Sequence, residues 1–156
     1  MSRVSPDDFR RAAGSFPTGV VVVTGVDAHG PVGLTCQSFV SLSLEPLLVS
    51  FSVGNAGRSW PRLSTVSSVA ISVLAADQED VARSFSISDH DKFAGAELTW
   101  TNDLPLITGA LAHLTGSIVS TVEAGDHHVV IVAVETASSR DGDALTYFRG
   151  RFGVLS

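Results

Sequence analysis

The chain has a single cysteine, Cys36, few charges and no long apolar run. One thiol excludes an intramolecular disulfide and a cysteine-based zinc cluster. No apolar stretch approaches the length that spans a bilayer, and the opening MSRVSPDDFRR lacks the apolar core of a secretory signal. A cytoplasmic protein that does not engage a membrane is therefore expected. The net charge is −6 and no basic cluster is present, which argues against nucleic acid, because phosphate neutralisation dominates that affinity. Nucleotide and hydrolase signatures are missing too: there is no G-x-G-x-x-G after a strand, no Walker A sequence and no G-x-S-x-G elbow.

What is present is a chain of 156 residues, 44% apolar and 17% charged, which suits one globular domain over residues 1–156. So little charge on so small a domain suggests that part of its surface is covered, most simply by a second copy. Ser5 to Phe16 reads as a helix, with Ser5 as cap, Pro6 in the first turn and Asp7 and Asp8 at the positive end. Phe9, Ala12, Ala13 and Phe16 fall at helical spacing and are expected to form its buried stripe.

Val20 to Val26 reads as a strand too apolar to be half exposed, turning at Asp27–Gly30 into a partner strand from Val32. Extended pieces follow at Phe39–Leu42 and Leu47–Ser52, then a short helix capped by Ser59, a strand at Val69–Leu74 and a helix opening at Asp77. Ser86 to Thr108 reads as a long loop with at most one strand near Leu98–Thr101. Ala110–Val122 and His127–Ala137 form a hairpin, and Ala144–Phe148 with Arg151–Leu155 closes the chain. Seven or so strands, few helices and short connections favour a mainly β fold, a closed or partly closed antiparallel barrel.

Three stretches carry possible chemistry. Thr35, Cys36, Gln37, Ser38, Ser41 and Ser43 offer short polar groups that match the edge of a flat heteroaromatic without burying a charge. The alternative is an ordinary bent strand whose hydroxyls bond to their own backbone. Ser52 to Ser59 (SVGNAGRS) has glycines that let amides converge and an Arg58 able to grip a phosphate, although a plain turn looks much the same. In Gly125-Asp126-His127-His128, alternation along the strand sends at most one histidine into a given site. His127, just after the turn, suits a donor or acid near neutral pH, while a solvated surface histidine is the common alternative.

No other histidine has acidic or cysteine partners at metal-ligand spacing. His90 lies between Asp89 and Asp91, but three adjacent side chains do not converge easily, so no metal is expected. Nothing near Cys36 would lower its pKa.

FRRAAGSFPTGVVVVT, GLTCQSFVSLSLEP, the Gln78-to-Phe85 helix followed by DKFAG, LPLITGALAHL, AGDHHVVIVAVE and LTYFRGRFG occur in the order seen in the flavin reductase-like, FMN-binding split-barrel family. Across nearly its whole length the chain resembles those short NAD(P)H:flavin oxidoreductases, the reductase components of two-component flavin-dependent monooxygenases. The resemblance implies a split β-barrel of Greek-key type, a homodimer with flavin near the subunit interface, and a monooxygenase partner receiving reduced flavin. It implies FMN or FAD as flavin and NADH or NADPH as hydride donor.

By the same resemblance, Thr35, Cys36, Gln37, Ser38 and Ser41 line the ring and ribityl chain, and Pro17 and Thr18 lie beside the ring. Ser52, Asn55, Ala56, Gly57, Arg58, Ser59 and Trp60 belong to the phosphate-holding segment. His127 sits near the nicotinamide and flavin, with Tyr147 and Arg149 close to the pyridine nucleotide. Arg83, Phe85 and Lys92 lie in a block near the flavin tail or the neighbouring subunit. The chain departs from the pattern at Leu47, where a proline is common, and at Val132, where a glycine is common. A non-catalytic flavin- or tetrapyrrole-binding split barrel is the alternative. A third reading is an oxidase-type relative acting on a phosphorylated small molecule.

Overall fold

The computed structural model describes residues 3–87 and 91–156. Twelve strands and three helices follow in order among these residues: α1 (Pro6–Ala13), β1 (Thr18–Gly19), β2 (Val21–Asp27), β3 (Gly30–Cys36), β4 (Val40–Leu44), β5 (Leu47–Gly54), α2 (Ser59–Leu63), β6 (Ser68–Val73), α3 (Glu79–Ser86), β7 (Leu98–Thr101), β8 (Leu104–Ile107), β9 (Ala112–Ala124), β10 (His127–Ser139), β11 (Ala144–Phe148) and β12 (Arg151–Leu155).

Seven strands form one antiparallel sheet in the order β3-β2-β6-β9-β10-β5-β4. Between β5 and β6 the chain crosses through α2 to the far side of the β9–β10 hairpin, the non-sequential connection of a Greek key. The sheet curls until β3, at one edge, meets β5 near the other. Ser38 closes that seam, its Oγ donating to Ser52 O at 3.0 Å and accepting from Ser52 N at 2.7 Å. A second sheet, β1-β11-β12, packs against the outside of this barrel, with Leu145 N donating to Leu74 O at 3.2 Å, and β7 pairs with β8 as a hairpin.

Two cores explain the run Val20–Val23, whose side chains alternate between them. Val21 and Val23 fill the barrel with Phe51, Trp60, Leu63 and Val130. Val20 and Val22 face outward, where α3, the β7–β8 hairpin and the second sheet cover them with Phe85, Ile107 and Leu145. A strand covered on both faces needs apolar residues on both. Gly33 lets α3 approach β3, since a Cβ there would lie 2.9 Å from the Phe85 ring. Burying Phe85 in that gap contributes on the order of 2–3 kcal/mol.

The structure departs from the sequence reading at several elements. Helix α1 carries the Ser5 cap, with Asp8 N donating to Ser5 Oγ at 3.1 Å, but it stops at Ala13 and buries none of its residues. Phe9 and Phe16 are 65% and 75% exposed, so the expected buried stripe is uncovered within this chain. Helix α3 opens at Glu79, two residues after Asp77, because the Gln78 side chain is taken up by Ala75 N and Thr108 O. Ser59 does not cap α2; its hydroxyl donates to Gly33 O instead.

The stretch read as a long loop contains two strands. Leu104–Ile107 is wholly buried, and Pro105 is tolerated because β8 pairs on one side only. Val132 is also settled: it points into the barrel core, where Gly116 on β9 leaves the room its side chain occupies. No helix among the described residues is long and apolar enough to cross a membrane.

Candidate functional site

Where the barrel seam meets α3 a cavity of about 590 Å3 opens. Its floor is the end of β3 and the link after it, Leu34 to Ser38, against Ser52–Gly54 of β5. The turn Gly57–Trp60 forms one end, Thr18 lies on the wall, and Phe85, Ser86, Lys92 and His127 complete the lining. The structure thus brings together thirteen of the predicted site residues: Thr18, Thr35, Cys36, Gln37, Ser38, Ser52, Gly57, Arg58, Ser59, Trp60, Phe85, Lys92 and His127.

The hydroxyls of the Thr35–Ser38 run are largely committed to the fold. Thr35 Oγ1 donates to Ala82 O at 2.7 Å, tying β3 to α3, and Ser38 closes the barrel seam. The Cys36 thiol is buried, its Sγ lies 3.7 Å from Ser52 O, and burial pushes its pKa up to about 12. It is neither a nucleophile nor a metal ligand at neutral pH. Each hydroxyl has one proton to give, so these residues can only accept from a ligand.

Free polar groups come from elsewhere. Thr18 Oγ1 is buried without a hydrogen-bond partner among the described residues, a state that costs roughly 1–3 kcal/mol unless a ligand relieves it. The Gln37 side chain is exposed and makes no hydrogen bond among the described residues. The same holds for the Arg58 guanidinium, which is therefore an unpaired cation at the Gly57–Trp60 end. Lys92, the only lysine of the chain, is different. Its ammonium donates to Gly33 O, Ser59 Oγ and Phe85 O at 2.9–3.0 Å, which holds it protonated although burial lowers its pKa.

The histidine pair divides as alternation requires. His127 faces the cavity, and its Nδ1 lies 2.7 Å from Asp126 Oδ1. A carboxylate only accepts, so Nδ1 carries the proton and Nε2 is presented beside Gly54. This bond also holds the Asp126 carboxyl below its usual range. His128 points to the other face, bonding Asn55 Oδ1 at 2.5 Å and packing its ring 5.5 Å from Trp60. With Asn55 N donating to Asp126 O at 2.9 Å, the hairpin turn of β9–β10 fixes the turn that carries Arg58.

The other predicted residues lie outside the cavity lining. Pro17 and Ala56 are exposed beside it, Ser41 is exposed on β4, and the Asn55 side chain is occupied by His128. Tyr147 pairs with Thr18 through β1–β11 and packs its ring on Phe152 at 5.1 Å. Arg149 stacks on Phe148 at the β11–β12 turn, with φ at +49°, and Arg83 lies over the Phe152 ring while paired with Glu79. Leu34 and Ser86 line the cavity without having been singled out. Val53 and Gly54, part of the Ser52–Ser59 stretch, line it too, and Gly54 pairs with His127 at the end of the β5–β10 ladder. The Asp89–His90 pair weighed as metal ligands lies outside the described residues.

The geometry fits a flat polar heteroaromatic that ends in phosphate. An unsatisfied buried hydroxyl, an amide free among the described residues and, at the turn, an unpaired guanidinium line one cavity. Residues 13–156 match the model of the flavin reductase like domain. The chain is 39% identical over 153 residues to the flavin-dependent monooxygenase reductase subunit HsaB of Rhodococcus jostii, covering 96% of this chain and 77% of that protein. It is 39% identical over 151 residues to the NADH-dependent FMN reductase SmoA of Agrobacterium fabrum, covering 95% and 85%. Among solved structures, the Streptomyces globisporus NADH:FAD oxidoreductase SgcE6, in complex with NAD and FAD fragments, superimposes with a TM-score of 0.92 at 37% identity. That match covers 100% of this chain and 98% of the other.

Proposed function

The chain belongs to the flavin reductase-like family, and on that premise we propose that it is a nicotinamide-dependent flavin reductase that supplies reduced flavin to a monooxygenase. NADH is the donor named for its relatives, with NADPH as a second donor to be tried, and FMN or FAD is the acceptor. When bound together, the nicotinamide supplies hydride to the flavin ring. The carrying observation is the cavity itself, with its orphaned Thr18 hydroxyl and its unpaired Arg58 at the glycine turn.

The protein supplies position and exclusion of water rather than a nucleophile. Thr18 and Gln37 hold the polar edge of the ring, Arg58 neutralises the phosphate, and Phe85 closes the apolar side. His127, fixed by Asp126, orients the ring that meets the flavin. Tyr147 and Arg149 serve the pyridine nucleotide through the second sheet.

A single flavin reductase-like domain spans residues 1–156, acts in the cytoplasm and works as a homodimer. Exposed Phe9, Leu44 and Val122 support that assembly. The test mixes the purified protein with FMN, FAD or riboflavin and follows the absorbance of NADH and NADPH. Oxidation with at least one pair is expected. A flavin spectrum without oxidation points to a non-catalytic binder, and no oxidation with any pair removes the reductase reading.

A further inference from the structure

The loop that carries Arg58 runs from Gly54, the last residue of β5, to Ser59, the first of α2. Ala56, Gly57 and Arg58 are exposed, and a Cβ added at Gly57 would meet nothing within 4 Å. Close packing therefore does not require the glycine, which leaves the backbone loose beside Arg58. The Arg58 guanidinium has no partner among the described residues and does not stiffen the loop. The position of that cation is set by the two feet of the loop, Asn55 and the Ser59–Trp60 start of α2.

His128 touches both feet. It pairs with Val53 across the β5–β10 ladder, so its side chain shares the face on which Val53 and Val130 enter the barrel core. On that face its Nδ1 lies 2.5 Å from Asn55 Oδ1, at the first foot. An amide oxygen only accepts, so the imidazole is the donor. Its ring lies 5.5 Å from that of Trp60, which is buried in α2 at the second foot. Other bonds hold one foot each: Asn55 N donates to Asp126 O, and the Ser59 hydroxyl donates to Gly33 O. His128 spans the two, although it does not line the cavity.

On the reading of a phosphorylated flavin in that cavity, we infer that His128 is a positioning residue for the phosphate. It touches no ligand. By tying Asn55 to Trp60 it holds the Arg58 loop in the conformation that meets a phosphate. Without the tie the loop samples more conformations, and ordering it on binding costs affinity. That cost falls on flavins that carry a phosphate and spares riboflavin.

The test measures dissociation constants of FMN and riboflavin by flavin fluorescence, for wild type and for variants at both ends of the bond. His128→Phe keeps a ring against Trp60 and removes the donor, and Asn55→Ala removes the acceptor. Each is expected to weaken FMN by about fivefold, the scale of one hydrogen bond, and to leave riboflavin unmoved. The two together should weaken FMN no more than either alone, because they break the same bond. His128→Asn, whose amide can donate from the place of Nδ1, should recover most of the loss. Losses shared equally by FMN and riboflavin, unchanged FMN binding in Asn55→Ala, or losses that add in the double variant overturn the inference while the flavin reading stands. Asn55 is exposed, so its variant gives the answer even where His128→Phe folds poorly. Wild type that binds neither flavin removes the flavin reading, and the inference with it.

Discussion

His127 and Arg58 occupy different parts of the same cavity, and their chemistry predicts different failures. His127 donates a hydrogen bond from Nδ1 to Asp126 and presents Nε2 to the cavity. His127→Ala is expected to slow NADH oxidation by about tenfold or more while changing flavin affinity little, because the loss falls on orientation of the reacting rings. Stopped-flow reduction beside a binding titration checks this, and unchanged turnover would remove the role.

Arg58→Ala should weaken FMN or FAD by about ten- to a hundredfold, the scale of a charge-assisted hydrogen bond worth roughly 1.5–3 kcal/mol, and spare riboflavin. Equal losses on all three would sink the phosphate assignment. Cys36 makes the opposite prediction. Buried, and with its pKa pushed up to about 12, it should resist an aromatic disulfide reagent at pH 8 in the native protein and react as one thiol in urea. Rapid reaction of the folded protein would show that the thiol is not enclosed.

At the scale of elements, α2 is tied to the β2–β3 hairpin by one ion pair. Arg62 Nε and Nη2 each lie 2.7 Å from the Asp27 carboxylate, and this pairing holds the Asp27 pKa well below the usual carboxylate range. The folded carboxyl releases its proton more readily than the unfolded one, which titrates near about 3.9. The pair therefore contributes its full stabilisation above that value and loses it as the pH falls toward the lower folded value. Urea midpoints of wild type and Asp27→Asn should differ by a constant amount at neutral pH and converge below about pH 4. A difference that persists unchanged to pH 2 would show that Asp27 is not the linked group.

The same elements show why some of the fold was legible and some was not. The doubly buried Val20–Val23 run and the β9–β10 hairpin with its Glu-Ala-Gly-Asp turn announce themselves through local pattern alone. Strand β8 did not, because Pro105 reads as a loop until its single-sided pairing is known. The hydroxyls of Thr35 and Ser38 looked free for a ligand, yet their partners, Ala82 O and Ser52, lie far along the chain. The orphaned Thr18 hydroxyl and the triple anchoring of Lys92 are likewise tertiary facts. No local spacing encodes them.

At the scale of the whole molecule, the apolar stripe of α1 is the clearest unmet demand. An isolated helix of eight residues is marginal in water, and this one buries nothing within its own chain while exposing Phe9. The edge strand β4 adds Val40, Leu42 and Leu44, with Leu47 beside them on β5, and leaves one side of its ladder unpaired. Val119 and Val122 extend the exposed apolar surface on β9. A second copy is the simplest cover, and each leucine removed from water contributes about 1.5–3 kcal/mol. Light scattering behind gel filtration should give twice the chain mass of 16.3 kDa. Leu42→Asp with Leu44→Asp should shift the protein toward one chain mass with its circular dichroism retained, and should lower the melting temperature. A native protein that runs at the mass of one chain at micromolar concentration, or a dimer indifferent to both aspartates, would place the contact elsewhere or remove it.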